Sequence, residues 1–508
     1  MPSTNIEKPP DLIIRLFVAC PRSGSAVLMR IFAENPECGV TSRLMPMDHA
    51  SPGGQDTPNR AIFQTPAQHD VYQLALDAGK RFLISREELG HDTTNGECSY
   101  DLLPSASAFD LIRPVFLIRD PIRVFDSWKK IRWKDVQRFI ACYVNVFGMI
   151  NRSASRNISC PLYEQLVYDP RKELQRICDR WGIPFSDAML QFTKPFGSSF
   201  FKSEQETKAN CETEPAGILT TVEATSSIIQ EVKYHGLLTL EEKEKIERTL
   251  CRSYLDCWRD KVDQLRATLS GKTWFGFDLD DTLHEFRLAS STATNEALEV
   301  LSQNYGTSME VLKKEYSCIL RTKTSNAFSD GKTSFEYRRE RFTLLLERIS
   351  QTATPTFLAS LLEIYEKTLK DALQLKCGAI GLLATLKRLG KKIVIITEGP
   401  QDAQERTIRH LGIAEQVDAL VTTNSFKLSK VDGLFPKVLQ HLGITPAEMA
   451  YIGDNEQRDM EPASAEGIFC IHFAEAANFS LDVYPPRINT LAKLDCIMSS
   501  LEPGLSGE

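Results

Sequence analysis

Apolar positions fall in two series of short runs, separated by a long polar stretch. Ile13 to Cys20 is a continuous apolar run that breaks at PRSGS and is followed by a helical pattern from Ala26 to Asn35, predicting strand, tight turn and helix. Further strand-like runs stand at 81–85, RFLIS, and 112–118, IRPVFLI, with polar and helical stretches between them. That spacing predicts a parallel sheet with crossover helices. Residues 171–182, RKELQRICDRWG, place Leu174, Ile177, Cys178 and Trp181 on one helical face, with Gly182 as the stop. Residues 203–228 are polar and rich in Glu and Thr, a composition shared by linkers and functional loops. At 239–262 a long amphipathic pattern opens with Thr239 and Glu242 in capping-box spacing, and is expected to close the first domain or bridge to the second.

The second series comprises WFGFDL at 274–279, KIVIIT at 392–397, ALVTT at 419–423 and AYIGD at 450–454. The wide gap after the first of these, around 291–375, has helical patterning, and a structureless connection of that length is improbable. A helical cap inserted between strand ends is expected there. No internal repeat relates the two halves. The predicted fold class is α/β, with two parallel-sheet, three-layer domains: the first over 1–202, a linker and bridging helical region over 203–270, the second over 271–485, and a C-terminal tail over 486–508.

Composition sets limits on this picture. The 508 residues are 42% hydrophobic and 25% charged, enough apolar material for cores and too little charge for a disordered chain. With 60 Lys and Arg against 67 Asp and Glu, the net charge of -7 removes the drive for general nucleic-acid binding but leaves room for a local anion site. Thirteen cysteines occur without a short repeated spacing, which favours reduced packing residues over a disulfide framework or a zinc site. The N-terminal stretch lacks a signal-peptide layout and no run of 18 apolar residues occurs, so the expectation is a cytoplasmic protein without membrane insertion, its oligomeric state open.

The strongest chemical signal is FDLDDT at 277–282, where a buried strand delivers Asp278 and Asp280 to its carboxyl end and the two-residue period points both toward one crevice. Thr397 follows KIVII in TEGP, Lys430 lies in KLSKVDGLF, and Asp454 and Asp459 lie in YIGDNEQRD. These four elements, in this order over about 273–475, resemble the haloacid dehalogenase superfamily, most closely its phosphatase-like members with a helical cap. The resemblance implies a Rossmann-like domain in which Asp278 is nucleophile and metal ligand. Asp280 would be the general acid/base and lend its backbone carbonyl to the metal, and Asp454 would complete a Mg²⁺ site. Thr397 and Lys430 would hold the phosphoryl group, and Asp459 would support the lysine or the metal shell. The chemistry agrees: a carboxylate attacking a phosphate dianion is repelled unless a hard cation and a lysine offset the charge. Two points stay open in the sequence. TEGP stands where the family more often has Thr-Asn-Gly, so Glu398 adds negative charge near a phosphate site, and Lys427 competes with Lys430.

In the first half, CPRSGSAVLMR at 20–30 follows a strand and opens a helix, offering Arg22, Ser23, Gly24 and Ser25 as an anion cradle without the GK[ST] ending of a nucleotide-hydrolysing P-loop. Together with Arg119 and Ser127 in FLIRDPIRVFDSWKK, and with YEQLVYDPRKELQRICDRWGIPF at 163–185, it resembles the sulfotransferase superfamily over roughly 13–200. The resemblance implies that the cradle holds the 5′-phosphosulfate of 3′-phosphoadenylyl sulfate, and that Arg119 and Ser127 grip the 3′-phosphate of that cofactor or of adenosine 3′,5′-bisphosphate. The acceptor's base is undecided among Glu87, Glu88 and His91 in REELGHDTT.

The expected function is a bifunctional enzyme: Mg²⁺-dependent hydrolysis of a small phosphorylated metabolite through an aspartyl phosphate, joined to a sulfotransferase-like domain. Alternatives are a sulfotransferase whose second domain hydrolyses the spent nucleotide, an isoprenoid diphosphate phosphatase or cyclase, and a nucleotide-binding scaffold whose first domain is inactive.

Overall fold

The computed structural model describes residues 12–45, 47–48, 57–58, 61–89, 102–103, 105–156, 158–194, 200–202, 234–323, 328, 330–352 and 354–501. The expected linker at 203–228 and His91 lie outside the described residues. The chain divides into two compact units, 1–257 and 258–508.

The first unit is built on strand β1 (Ile13–Ala19), helix α1 (Ser25–Ala33), β2 (Cys38–Thr41), β3 (Phe82–Glu88), β4 (Val115–Leu117), α2 (Pro121–Lys130), α3 (Val136–Arg152), α4 (Pro170–Trp181), β5 (Phe200–Phe201) and α5 (Leu240–Asp256). Its sheet runs β4-β1-β3-β2-β5 with every pairing parallel. The predicted apolar runs are β1, β3 and β4, of which β1 and β3 are central in the sheet and largely buried, as a parallel sheet requires. On one face, α4 sets Trp181 against Phe17 and Phe32, with ring centroids 4.7 and 5.3 Å away. Because β1 lies between β3 and β4, in register Ala19 beside Glu88 and Leu117, three carboxyl ends open side by side. In a parallel α/β sheet, ligands bind where such ends meet.

The second unit contains α6 (Arg259–Ser270), β6 (Trp274–Phe277), a cap of four helices α7 (Phe286–Tyr305), α8 (Met309–Lys323), α9 (Ser334–Arg348) and α10 (Pro355–Asp371), then α11 (Ala379–Arg388), β7 (Lys392–Thr397), α12 (Gln401–His410), β8 (Ala419–Thr422), α13 (Leu434–Leu442), β9 (Met449–Gly453), β10 (Phe469–Phe473), β11 (Arg487–Ile488) and α14 (Leu491–Ser499). The six-stranded sheet runs β8-β7-β6-β9-β10-β11, again all parallel. The cap has a core of its own, in which Ala289, Ala293 and Ala297 of α7 join Leu361, Leu362 and Tyr365 of α10. Small side chains at four-residue spacing let the two helices approach closely.

Two expectations about element limits change. The single helix expected over 239–262 is two: α5 keeps the Thr239–Glu242 capping box and ends at Asp256, and α6 begins at Arg259 with the Trp258 ring packed edge-on against Phe479 at 5.3 Å. α5 belongs to the first unit and α6 to the second, so the boundary falls at 257/258 and not across a bridging region ending near 270. Over its described residues, 486–501, the expected tail is structured: β11 extends the sheet, and Leu491, Leu494, Ile497 and Met498 of α14 are fully buried. Cys20, Cys38, Cys142, Cys178, Cys377 and Cys470 are buried, as packing cysteines should be. Among the described residues, no helix is long and apolar enough to cross a membrane.

Candidate functional site

In the second unit, β6 is flanked by β7 and β9, so the residues after these three strands meet at one end of the sheet. Asp278 follows β6, Thr397 ends β7 and Asp454 follows β9. Lys430 arrives from the segment after β8. Its ammonium lies 2.6 Å from Asp278 Oδ1 and 2.5 Å from Asp459 Oδ1, with all three side chains buried. Burial disfavours the Lys430 ammonium, but Asp278 and Asp459 outweigh it and raise its pKa. Lys427, the competing lysine, is exposed in a left-handed turn at the surface.

Asp459 is committed on every side: Oδ1 also accepts from the Tyr451 hydroxyl at 2.8 Å, and Oδ2 accepts from the Asn455 amide at 3.1 Å. Gly453 makes room for it, since a Cβ there would come within 2.6 Å of the Asp459 Cγ. Thr282 donates to Asp278 Oδ2 at 3.2 Å, fixing the carboxylate from behind.

Oxygen atoms of Asp278, Asp454 and Asp459 lie within 4.8 Å of one another. Burial first, and Asp459 second, push the Asp454 carboxyl up to about 6, while the largely exposed Arg287 pulls the other way from 3.5 Å. Three clustered carboxylates against one buried ammonium leave excess negative charge, and a set of hard oxygen donors suits Mg²⁺. The donor set fits that ion.

The Asp280 carboxylate, expected beside the metal ligands, lies outside this cluster. Its Oδ1 is 2.9 Å from His284 Nε2 and its Oδ2 accepts from Gln404 Nε2 at 3.4 Å. His284 is fully buried, and among the described residues its Nδ1 has no hydrogen-bond partner. Thr397 Oγ1 is likewise buried without a partner, an unused hydroxyl in the centre of the site. Glu398 does not add free negative charge: Arg458 meets its carboxylate at 2.5 Å, and it accepts from the Lys430 amide at 3.4 Å. His284, Gln404, Thr282, Tyr451 and Arg458 were not found from sequence. Their pairings span loop geometry and long separations that no periodicity records, although His284 does stand four residues after Asp280.

These groups open on a cavity of about 430 Å³ walled on the other side by cap residues, among them Tyr316, Tyr337, Arg338, Arg341 and Tyr365. Its size is that of a small-ligand pocket.

In the first unit, Arg22, Arg119 and Ser127 lie within hydrogen-bonding reach of one another. Gly24 has φ +98° and caps α1, and a Cβ there would stand 2.4 Å from the Tyr163 ring. Arg22 Nε donates to Ser127 Oγ at 3.1 Å, and Arg119 Nη1 donates to the Arg22 carbonyl at 3.3 Å. The Arg119 guanidinium lies 4.4 Å over the Tyr163 ring, and its buried Nε has no partner among the described residues. Trp128 Nε1 holds the loop through the Pro21 carbonyl at 2.8 Å. Ser23 departs from expectation: its hydroxyl turns inward, 3.4 Å from the Tyr143 hydroxyl.

The candidate bases separate by environment. Glu87 is buried and accepts from the Ser85 hydroxyl at 2.5 Å and the Leu44 amide at 2.9 Å, a structural tie that removes it as a base for an acceptor. Glu88 faces the cradle, accepting from Ser25 Oγ at 2.5 Å with Arg86 at 3.8 Å.

Residues 276–473 match the haloacid dehalogenase-like hydrolase family. The matched residues, about two fifths of the chain, all lie in the second unit, which has the Rossmann-like fold of these hydrolases with an inserted helical cap. Over 235 residues the chain is 27% identical to the glyceraldehyde 3-phosphate phosphatase of Methanocaldococcus jannaschii, covering 44% of this chain and 96% of that protein. The corresponding phosphatase of Methanopyrus kandleri is 25% identical over 199 residues, covering 38% of this chain and 81% of the relative. Among solved structures, the magnesium-bound HAD-hydrolase YfnB of Bacillus subtilis is 21% identical and covers 45% of this chain and 98% of its own, with a TM-score of 0.37.

Proposed function

We propose that the second unit is a Mg²⁺-dependent phosphohydrolase that cleaves a small phosphate monoester through an aspartyl phosphate. The observation that carries this reading is the division of labour between two carboxylates two residues apart. Asp278 sits in the carboxylate cluster with Lys430, while Asp280 is turned away onto His284 and Gln404. When bound, Mg²⁺ would be held by Asp278 and Asp454, with Asp459 next to them, and would offset the charge of the phosphoryl oxygens. Asp278 attacks phosphorus and the ester oxygen departs. Asp280 gives that oxygen a proton and then takes one from the water that hydrolyses the aspartyl phosphate. Thr397, with its unused hydroxyl, and Lys430 hold the phosphoryl oxygens. The names of the archaeal relatives support phosphate-ester substrates.

The test is Mg²⁺-dependent phosphate release from a broad panel of phosphorylated metabolites, beside Asp278→Asn and Arg22→Ala proteins. Turnover should be lost on chelation, and should fall by at least a thousandfold in Asp278→Asn. Turnover that survives both treatments would defeat the reading.

A second reading concerns the first unit, because Arg22, Arg119 and Ser127 meet over the adjacent carboxyl ends of β1 and β4. That convergence, the αL Gly24 and the open N-terminus of α1 support a sulfotransferase-like site for 3′-phosphoadenylyl sulfate or adenosine 3′,5′-bisphosphate, with Glu88 as the base. Calorimetric titration with adenosine 3′,5′-bisphosphate should show binding that Arg119→Ala weakens by tenfold or more. Equal affinity in both proteins would remove this reading.

A further inference from the structure

Four arginines line the cavity of the second unit: Arg287, Arg338, Arg341 and Arg458. Three of them already have acidic partners. Arg287 meets Asp281 at 3.0 Å and Asp454 at 3.5 Å, Arg458 meets Glu398 at 2.5 Å, and Arg338 is ion-paired with Glu366. Glu366 is shared, since Arg406 reaches its other oxygen at 2.9 Å, and Arg406 in turn takes Asp402 at 2.9 Å. Three guanidinium groups, Arg338, Arg341 and Arg406, thus stand against two carboxylates on this wall. Arg341, on α9, is the one left over. Among the described residues it has no acidic partner, and its Nε and Nη2 are buried without an acceptor. Around it lie the Phe328 ring, 5.7 Å from the guanidinium carbon, and the Tyr316 hydroxyl.

Two buried N–H-bearing nitrogens without acceptors are costly, because each has given up water without gaining a partner. The Nε and Nη2 atoms also form the side edge of the guanidinium fork, the edge that takes a carboxylate or phosphate through two parallel hydrogen bonds. A missing acceptor of that shape, beside a cavity whose opposite wall holds Asp278, Thr397 and Lys430, defines the far end of a ligand. We infer that Arg341 is the specificity residue of this cavity, and that the substrate is a phosphate monoester carrying a second anionic group, a carboxylate or a second phosphate, which Arg341 binds. This rests on the phosphohydrolase reading of the same site and adds the substrate class to it.

The test compares pairs of esters that differ by the second anion: O-phosphoserine with O-phosphoethanolamine, 3-phosphoglycerate with glycerol 3-phosphate, and fructose 1,6-bisphosphate with fructose 6-phosphate. The full chain should favour the doubly anionic member of at least one pair by tenfold or more in kcat/KM, and the pair that responds identifies the second anion as carboxylate or phosphate. In Arg341→Met that ratio should fall below threefold, chiefly through KM, and Arg341→Lys should recover part of it. A folding defect lowers both members of a pair together and leaves the ratio intact. An unchanged ratio in Arg341→Met, or no preference in the wild-type chain, overturns the inference while leaving the phosphohydrolase reading in place. If no ester is turned over, that reading fails instead, and calorimetry of the same pairs on Mg²⁺-loaded Asp278→Asn, with and without Arg341→Met, decides the role of Arg341 by the same ratio of affinities.

Discussion

Asp278 and Asp280 differ in what holds them more than in where they lie. Both follow β6, which ends at Phe277, and both line the same cavity, which is as much as the two-residue spacing in the sequence suggested. What separates their roles is His284, 2.9 Å from Asp280 and fully buried, and Lys430, which reaches Asp278 from 152 residues away. Removing the histidine frees the Asp280 carboxyl to rotate, so His284→Ala should lower kcat for phosphate release by about tenfold to a hundredfold, the scale of lost acid–base positioning. Steady-state kinetics should show KM changed by less than threefold, and His284→Gln, which keeps a donor for Asp280, should retain most of the rate. Glu164 in the first unit gives a second residue-scale prediction, one about stability. It is buried, accepts from the Asp120 amide at 2.8 Å, and burial followed by repulsion from Asp120 pushes its carboxyl up to about 7. A carboxyl with a higher pKa folded than unfolded keeps its proton in the native state. Its stabilising contribution is complete below about pH 4.5 and is lost as the pH rises through about 7. The whole effect is about 3 kcal/mol. Glu164→Gln keeps the acceptor and cannot ionise, so denaturant unfolding followed by Trp fluorescence should lose less stability than wild type between pH 5 and pH 8.

Elements were legible to the extent that burial is two-sided and local. β1, β3, β6, β7 and β9 all coincide with apolar runs, since a central parallel strand must be apolar on both faces. The helical cap followed from helical patterning together with the length of the gap. The failure at 239–262 has a simple cause: amphipathic periodicity runs straight through Cys257 and Trp258, and only tertiary packing reveals that Ile246, Leu250 and Tyr254 bury in one unit while Val262, Leu265 and Leu269 bury in the other. The last helix was taken for a tail because nothing in its nine residues shows what α14 packs against. Within the cap, the Ala289, Ala293 and Ala297 stripe makes its own prediction. All three are fully buried where α7 meets α10, so Ala293→Leu forces extra methylenes into a filled interface at a cost of about 1–3 kcal/mol. Thermal unfolding should show a lower Tm for the second unit, whereas Ala293→Ser, nearly the same size, should fall much less.

At the scale of the whole molecule, the two units carry two independent sets of chemical groups. Asp278, Asp280, Thr397, Lys430, Asp454 and Asp459 all come from residues after 257, and so do the cap and every residue lining the cavity. Each unit here has its own continuous sheet and its own buried core, which is the physical requirement for independent folding. Residues 258–508 alone should therefore unfold cooperatively and release phosphate from p-nitrophenyl phosphate in the presence of Mg²⁺, with kcat/KM within about threefold of the full chain. Residues 1–257 should bind adenosine 3′,5′-bisphosphate with the affinity of the full chain. A loss of tenfold or more in either fragment that refolds would mean that the chemistry of one unit depends on the other.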